Sequence, residues 1–258
     1  MMKTVDVATF VAFILSVGFA GFGASLTFGA ETKGVFELRT YTTHDGKLEA
    51  LHSRFRDHTV ELFEKHGMKN IAYWVPADKP NTLVYLLSHP SVEARGKGFK
   101  DFVSDPAWKK AYAESRKDGP LVSKVESLML TTTDYSSAKG FDDVKPGMLY
   151  ELRTYTTAEG KLPNLNARFR DHTIRLFKQH GITNVIYTTP LAEKLQENTL
   201  VYLIAHKDKE AADASWKAFG SDPAWKKVAA ESQKDGRILV KGGVKRQYLE
   251  LTDYSPKK

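Results

Sequence analysis

The chain has 258 residues, a net charge of +7 from 38 Lys and Arg against 31 Asp and Glu, and no cysteine. That length suits one large domain or two of about 100–120 residues. The missing cysteine excludes disulfides, thiolate nucleophiles, Cys-based zinc or iron–sulfur sites and a lipoprotein anchor. Acidic residues are interleaved with the basic ones, as on a solvated surface. None of the nucleic-acid motif patterns occurs, so no nucleic-acid partner is expected.

From Val7 to Ala30 there is no charged residue. Val7 to Phe19 reads as the apolar region of a signal peptide; Gly18-Phe19-Ala20 and Gly23-Ala24-Ser25 put small residues at −3 and −1 of a cleavage site, and Phe28-Gly29-Ala30 sits best against the mature domain but has a poor −3 residue. The whole run is long enough to span a bilayer, which takes about 20 residues. Its Gly-rich second half favours a cleaved leader. Residues 1–30 are therefore expected to be a signal peptide or N-terminal anchor of an exported (periplasmic or secreted) protein, with membrane attachment only through residues 7–30 if they stay uncleaved.

The fold starts with Val35 to Thr43, which alternates as a β-strand: Phe36, Leu38 and Thr40 share one face, Glu37, Arg39 and Tyr41 the other. Asp45-Gly46 turns the chain. Leu48, Leu51, Phe55, Leu62 and Phe63 then make a helical stripe that ends before Gly67. Lys69 to Val75 and Asn81 to Ser88 read as strands. Ser91 caps a helix weakened by Gly96 and Gly98, and Ser104-Asp105-Pro106 starts another. Leu121 to Thr131 gives the last strand. The order β-α-β-β-α-β is that of a ferredoxin-like sandwich.

All of this recurs. Residues 35–76 map onto 149–190 at an offset of 114 without a gap, and a loop three residues longer follows in the second copy. Phe36-Glu37-Leu38-Arg39-Thr40-Tyr41 returns as Tyr150-Glu151-Leu152-Arg153-Thr154-Tyr155. The predicted organisation is a first domain over 35–136, a linker over 137–147 and a second domain over 148–255. A four-stranded sheet with helices on one face must bury its other face. The expected fold is α+β: two tandem ferredoxin-like modules pairing as an intramolecular dimeric α+β barrel, either a monomer by internal pairing or a homo-oligomer.

Four segments, each present in both copies, carry a family likeness. In the second copy they are Tyr150-Glu151-Leu152-Arg153-Thr154-Tyr155, Arg168-Phe169-Arg170-Asp171-His172, Leu176-Phe177-Lys178-Gln179-His180-Gly181 and Asp222-Pro223-Ala224-Trp225. In this order and spacing the chain resembles the NIPSNAP family. The resemblance implies a dimeric α+β barrel but no settled activity. Animal members are linked to mitochondria and vesicle traffic, roles that do not transfer to a chain with a bacterial-looking leader. Related barrels include quinone-forming monooxygenases and haem-handling proteins, a likeness of fold alone.

If Phe36 and Leu38 pack under the helices, Glu37, Arg39 and Tyr41 face Glu151, Arg153 and Tyr155 inside the barrel. Those six residues then either bind an anionic or hydroxylated small molecule or form a structural ion-pair network joining the modules. His58 and His172 lie at the edge of the helical stripe, as acid/base groups facing a cavity or as ordinary boundary histidines. Tyr73 and Tyr187 either line a pocket or pack within the sheet. Arg54, Arg56, Arg168 and Arg170 read as exposed ion-pair partners, His66 and His180 as helix C-caps, and Trp108 and Trp225 as core anchors. His89 and His206 look like isolated strand-end residues. No zinc, P-loop, nucleophile-elbow or dinucleotide motif occurs, and no cofactor or metal is required. Trp74, Phe99 and Tyr112 become Thr188, Trp216 and Ala229, so any two pockets differ in size. The leading reading is a small-molecule- or partner-binding barrel. The alternatives are a cofactor-independent monooxygenase with His58 or His172 as base, and a haem-binding protein with a histidine ligand.

Overall fold

A computed structural model describes residues 34–137, 140–143 and 145–256, so the leader-like segment 1–30 lies outside the described residues. β1 (Val35–Thr43) passes through a turn with Gly46 at φ +71° into α1 (Leu48–Arg54). A π-turn over Phe55–Thr59 joins α1 to α2 (Val60–Lys65). β2 (Lys69–Pro76), β3 (Thr82–His89), α3 (Val92–Ser104), α4 (Pro106–Glu114) and β4 (Val122–Thr132) complete the module. The second module repeats it as β5 (Leu149–Thr157), α5 (Leu162–Arg168), a π-turn over Phe169–Thr173, α6 (Ile174–Gln179) and β6 (Thr183–Pro190). A short α7 (Glu193–Gln196) occupies the longer loop, and β7 (Thr199–His206), α8 (Lys209–Ser221), α9 (Pro223–Glu231) and β8 (Leu239–Leu251) follow. The second helix of each module breaks where Asp105 and Asp222 take up N-cap geometry and accept the backbone N–H of Ala107 and Ala224 at 2.8 and 2.7 Å.

The strands close into one antiparallel barrel in the order β1-β3-β2-β8-β5-β7-β6-β4. Each module contributes one half of the ring. The seams are β2 with β8, where Trp74 opposes Leu251, and β4 with β6, where Thr131 opposes Thr189. The internal dimeric α+β barrel is thus formed by a single chain.

The alternation of β1 falls the opposite way from the expectation. Phe36 and Leu38 point into the barrel, packing with Trp74, Tyr150, Leu203 and Leu249. Glu37, Arg39 and Tyr41 lie under the helices, and β5 is placed in the same way. The strand's own pattern could not choose, because its neighbour Leu83-Val84-Tyr85-Leu86-Leu87 is apolar on both faces. The polar row goes where charge can be matched. The helix side supplies Arg95 and the Tyr85 hydroxyl. The barrel interior, lined mainly by aliphatic side chains with Trp74, Thr188 and Tyr202, keeps a void of only about 20 Å³. Among the described residues the predicted polar pocket between the sheets is therefore absent, and the two polar rows do not meet.

Gly98, read as a weak point of its helix, is a packing requirement: a Cβ there would lie 2.7 Å from the His66 carbonyl oxygen. The linker also packs. Phe141 is buried at the end of the barrel, 5.9 Å from the Phe36 ring.

Each module's tail straps the other module's first helix. Arg56 makes a two-pronged pair with Asp253 at 2.9 Å, and Arg170 makes the same pair with Asp134 at 2.8 Å. These arginines were expected to be exposed ion-pair partners, and their two-pronged pairs cross from one module to the other. Ser255 Oγ accepts the Tyr73 N–H and Ser136 Oγ the Tyr187 N–H, both at 3.0 Å. Tyr254 packs on Phe55 and Tyr73. Because the Arg56–Asp253 pair is solvent-exposed, Asp253→Ala should cost no more than about 1 kcal/mol. Truncation after Thr252, which also removes the Tyr254 ring, should cost about 2 kcal/mol or more. Urea unfolding midpoints of the two variants check this.

Candidate functional site

Between sheet and helices, each module holds a buried ionic centre. In the first, Arg39 Nη1 donates to Glu37 Oε1, Nη2 to the Tyr41 hydroxyl at 3.1 Å and Nε to the Tyr85 hydroxyl at 2.8 Å. Arg95, from α3, donates to both Glu37 oxygens at 2.6 and 3.0 Å, and Ser127, from β4, adds a third donor to Oε1 at 2.6 Å. His89 Nε2 stands 3.2 Å from Glu37 Oε2 without the alignment of a hydrogen bond. Phe99 carries the guanidinium of Arg39 at 4.9 Å and of Arg95 at 4.4 Å from its centroid. Burial pushes the Glu37 pKa up, but His89, Arg95 and Arg39 together hold it well below the usual carboxylate range. Burial likewise pushes the Tyr41 phenol up, and Arg39 beside it brings it below its ordinary value.

The second centre keeps the core and changes the periphery. Arg153 Nη1 donates to Glu151, and Nη2 to the Tyr155 hydroxyl at 2.9 Å. Ala212 stands where Arg95 does. Its place on the carboxylate is taken by the Trp216 indole N–H, 2.8 Å from Glu151 Oε2, with His206 Nε2 at 3.1 Å. A carboxylate can only accept, so both nitrogens donate. Trp216 also carries Arg153 at 4.3 Å. Burial raises the Glu151 pKa, and the His206, Arg153 and Trp216 contacts bring it below the ordinary value.

A second arginine enters each site from the helix. Arg54 and Arg168 are the last residues of α1 and α5, and the π-turns follow them. Such turns occur often at functional sites, and here Thr59 and Thr173 hydroxyls donate back to the Arg54 and Arg168 carbonyls at 3.0 Å. Both arginines were expected to be exposed, yet only 6% of Arg54 and 7% of Arg168 is exposed. Arg54 reaches Ser115 Oγ at 3.2 Å and stacks 5.3 Å from Trp108 and from Tyr112. Arg168 reaches Ser232 Oγ at 3.3 Å and stacks 5.3 Å from Trp225. In each the Nε is buried without a partner. Neither guanidinium has a carboxylate partner among the described residues. Burial therefore leaves both pKa values below the ordinary arginine value.

The modules differ in the space beside this arginine. The second has a cavity of about 210 Å³, lined by Tyr155, Arg168, Trp216, Trp225, Ala229 and Gln233 among others. At the position of Ala229 the first module has Tyr112, whose ring lies 5.4 Å from Trp108 and whose hydroxyl accepts Arg116 Nη1 at 3.0 Å.

Of the residues singled out from sequence, Glu37, Arg39 and Tyr41 gather in one centre, and Glu151, Arg153 and Tyr155 in the other. His58 and His172 do not join them: both are exposed, on the solvent side of the π-turns. The buried faces of the turns are taken by Phe55, Thr59, Phe169 and Thr173. Tyr73 and Tyr187 are sheet-packing residues, stacked 5.3 Å from Tyr85 and Tyr202 and bonded to Asn70 and Asn184. His66 and His180 stand at the C-caps of α2 and α6, and each ring binds the aspartate that N-caps α4 or α9, at 2.8 and 2.7 Å. Sequence reasoning missed His89, His206 and Arg95. The histidines carried one signal: both copies keep histidine at the end of the third strand, while Ser88 and Pro90 become Ala205 and Lys207. Among the described residues there is no cluster of three or more potential metal ligands.

The NIPSNAP family model matches residues 36–137 and again residues 150–256. The chain belongs to the NIPSNAP family. Among solved structures, a "Putative monooxygenase" from Fusobacterium nucleatum is 11% identical with a TM-score of 0.56, over 86% of this chain and 94% of that one. A "Putative Chlorite dismutase" is 12% identical with a TM-score of 0.53, over 86% and 96%. A NIPSNAP family protein of unknown function from Agrobacterium tumefaciens is 19% identical with a TM-score of 0.37, over 42% of this chain and 95% of its own. None of the curated proteins matches. At these identities the first two likenesses show the barrel fold alone.

For this NIPSNAP protein, removing the Glu37 charge leaves Arg39 and Arg95 unmatched in a buried site. Glu37→Gln should cost about 3–5 kcal/mol at pH 7. The folded carboxyl is held below its ordinary value of 4.5, so the pair's contribution is complete above that value and declines as pH falls. Below it the unfolded wild-type chain takes up a proton that the folded chain refuses. Urea unfolding at pH 7 and pH 3 should show the gap between wild type and variant narrowing in acid. A pH-independent gap contradicts the assignment.

Proposed function

We propose that this NIPSNAP protein is an exported small-molecule-binding protein whose ligand occupies the helix–sheet cavity of the second module. The first module then serves as the structural half of the barrel. The observation that carries the reading is Arg168: a buried guanidinium with no carboxylate partner among the described residues, on the wall of a cavity with aromatic and hydrogen-bonding lining. An isolated buried charge is costly unless something pairs with it, and apolar cavities with a few convergent polar groups are the usual form of ligand sites.

The monooxygenase reading rests on likeness of fold, and its two candidate bases, His58 and His172, are exposed. The haem reading needs an axial ligand, and no histidine lines the cavity. Neither alternative has an observation of its own in this site.

Native and denaturing mass spectrometry of protein purified from its own host tests the reading. The expected result is one small molecule retained per chain, and a polypeptide mass that begins after Ala20, Ser25 or Ala30. Ala229→Tyr, which puts the first module's side chain into the cavity, should lower retention about tenfold or more while leaving the melting temperature close to wild type. No retained ligand and no response of tryptophan fluorescence to a small-molecule library would overturn the binding claim, and a mass starting at Met1 would overturn the cleaved leader.

A further inference from the structure

We infer that the molecule held by the second module is a small planar aromatic monoanion, one or two fused rings bearing a single carboxylate. This rests on the cavity reading above and adds the ligand's charge, shape and size.

Charge comes first. Arg153 is already matched by Glu151, within a centre that Trp216 and His206 complete. That leaves Arg168, among the described residues, as the one arginine on the cavity wall, and the partner of its Nη1 there is a serine hydroxyl. One negative charge in the cavity balances it. A neutral or cationic ligand leaves the guanidinium unmatched, and a dianion exceeds it. Arginine's planar guanidinium suits a carboxylate, and because the Nε is covered by protein, a ligand meets the Nη end of the group. Tyr155, whose hydroxyl accepts from Arg153 Nη2 at 2.9 Å, stands on the same wall.

Shape follows from the walls. Phe169, Phe177, Trp216, Phe219 and Trp225 line the space, with the Arg168 guanidinium 5.3 Å from the Trp225 centroid. Ring faces and edges at these positions favour a flat aromatic body over a branched or sugar-like one. Size follows from the volume of about 210 Å³. A protein cavity of roughly 150 Å³ accommodates benzene, so one ring with its carboxylate fits comfortably and two fused rings fill the site.

The test is calorimetric titration of the full chain with 2-naphthoate, benzoate, 2-naphthamide and 2-naphthylmethylammonium, with the tryptophan emission recorded in parallel. The expected result is one naphthoate per chain, bound about tenfold or more tighter than the isosteric amide, with no binding of the ammonium compound. Ala229→Tyr should abolish naphthoate binding. Arg168→Met should bring naphthoate down to the affinity of the amide while leaving the amide unchanged, a pattern that mere loss of structure does not produce. If the amide binds as tightly as the acid and Ala229→Tyr blocks both, the anion assignment fails and the cavity reading stands. If none of the compounds binds, or if binding is indifferent to Ala229→Tyr, this inference falls, and the mass-spectrometric result alone then decides the cavity reading.

Discussion

The glutamate–arginine pair on the central strand of each module fixes the rest of the architecture. Taking both charges out of water is expensive, and the pair is tolerable only where other groups complete its hydrogen bonds. Those groups sit on the helix side of the sheet: Tyr41, Tyr85, Arg95 and Ser127 in the first module, Tyr155, Trp216 and His206 in the second. The pair therefore faces the helices and sends Phe36, Leu38, Tyr150 and Leu152 inward. A dry interior follows, and two such apolar faces close one barrel. The order of causes runs from charge matching, to strand orientation, to the internal pairing that makes one chain do what two separate modules would otherwise do.

The two copies show which parts of that arrangement are constrained. Glu, Arg and Tyr on the strand, the following histidine and the arginine before the π-turn are the same in both. Around them, changes compensate. Losing Arg95 at Ala212 would deprive the carboxylate of two donors, and Trp216 in place of Phe99 returns one of them as an indole N–H while still stacking on Arg153. The exchange of Tyr112 for Ala229 has no such compensation within the chain. It leaves space beside a buried cation, and that is the observation on which a ligand site in the second module rests.

Much of the fold was legible because its signals are local. Helical spacing, the Asp-Gly and Asp-Pro punctuation and the repeat itself gave the element order, the barrel and the family likeness. The orientation of the strands was not legible. Alternation offers two equal choices, and the deciding partners, such as Arg95, lie far away in sequence. The site was legible in part for the same reason. Glu37, Arg39 and Tyr41 announce themselves as a polar row in an apolar strand. Arg54 and Arg168 look like surface residues on a helical wheel, and the π-turn that follows them has no simple sequence mark. Identity between the copies was an imperfect guide: it holds for the buried His89 and His206 and equally for the exposed His58 and His172.

The ligand site depends most on the cavity beside Ala229, at whose position the first module carries Tyr112. A crystal of the mature protein freed of any retained ligand and pressurised with xenon reads this directly, since the Phe169, Phe177, Trp216 and Phe219 side of the cavity is apolar and xenon enters apolar space of this size. The predicted result is a xenon atom among Phe169, Phe177, Trp216 and Phe219, with none in the corresponding place beside Phe55 and Phe63. Equal occupancy in the two modules, or side chains filling the space beside Ala229, would contradict it.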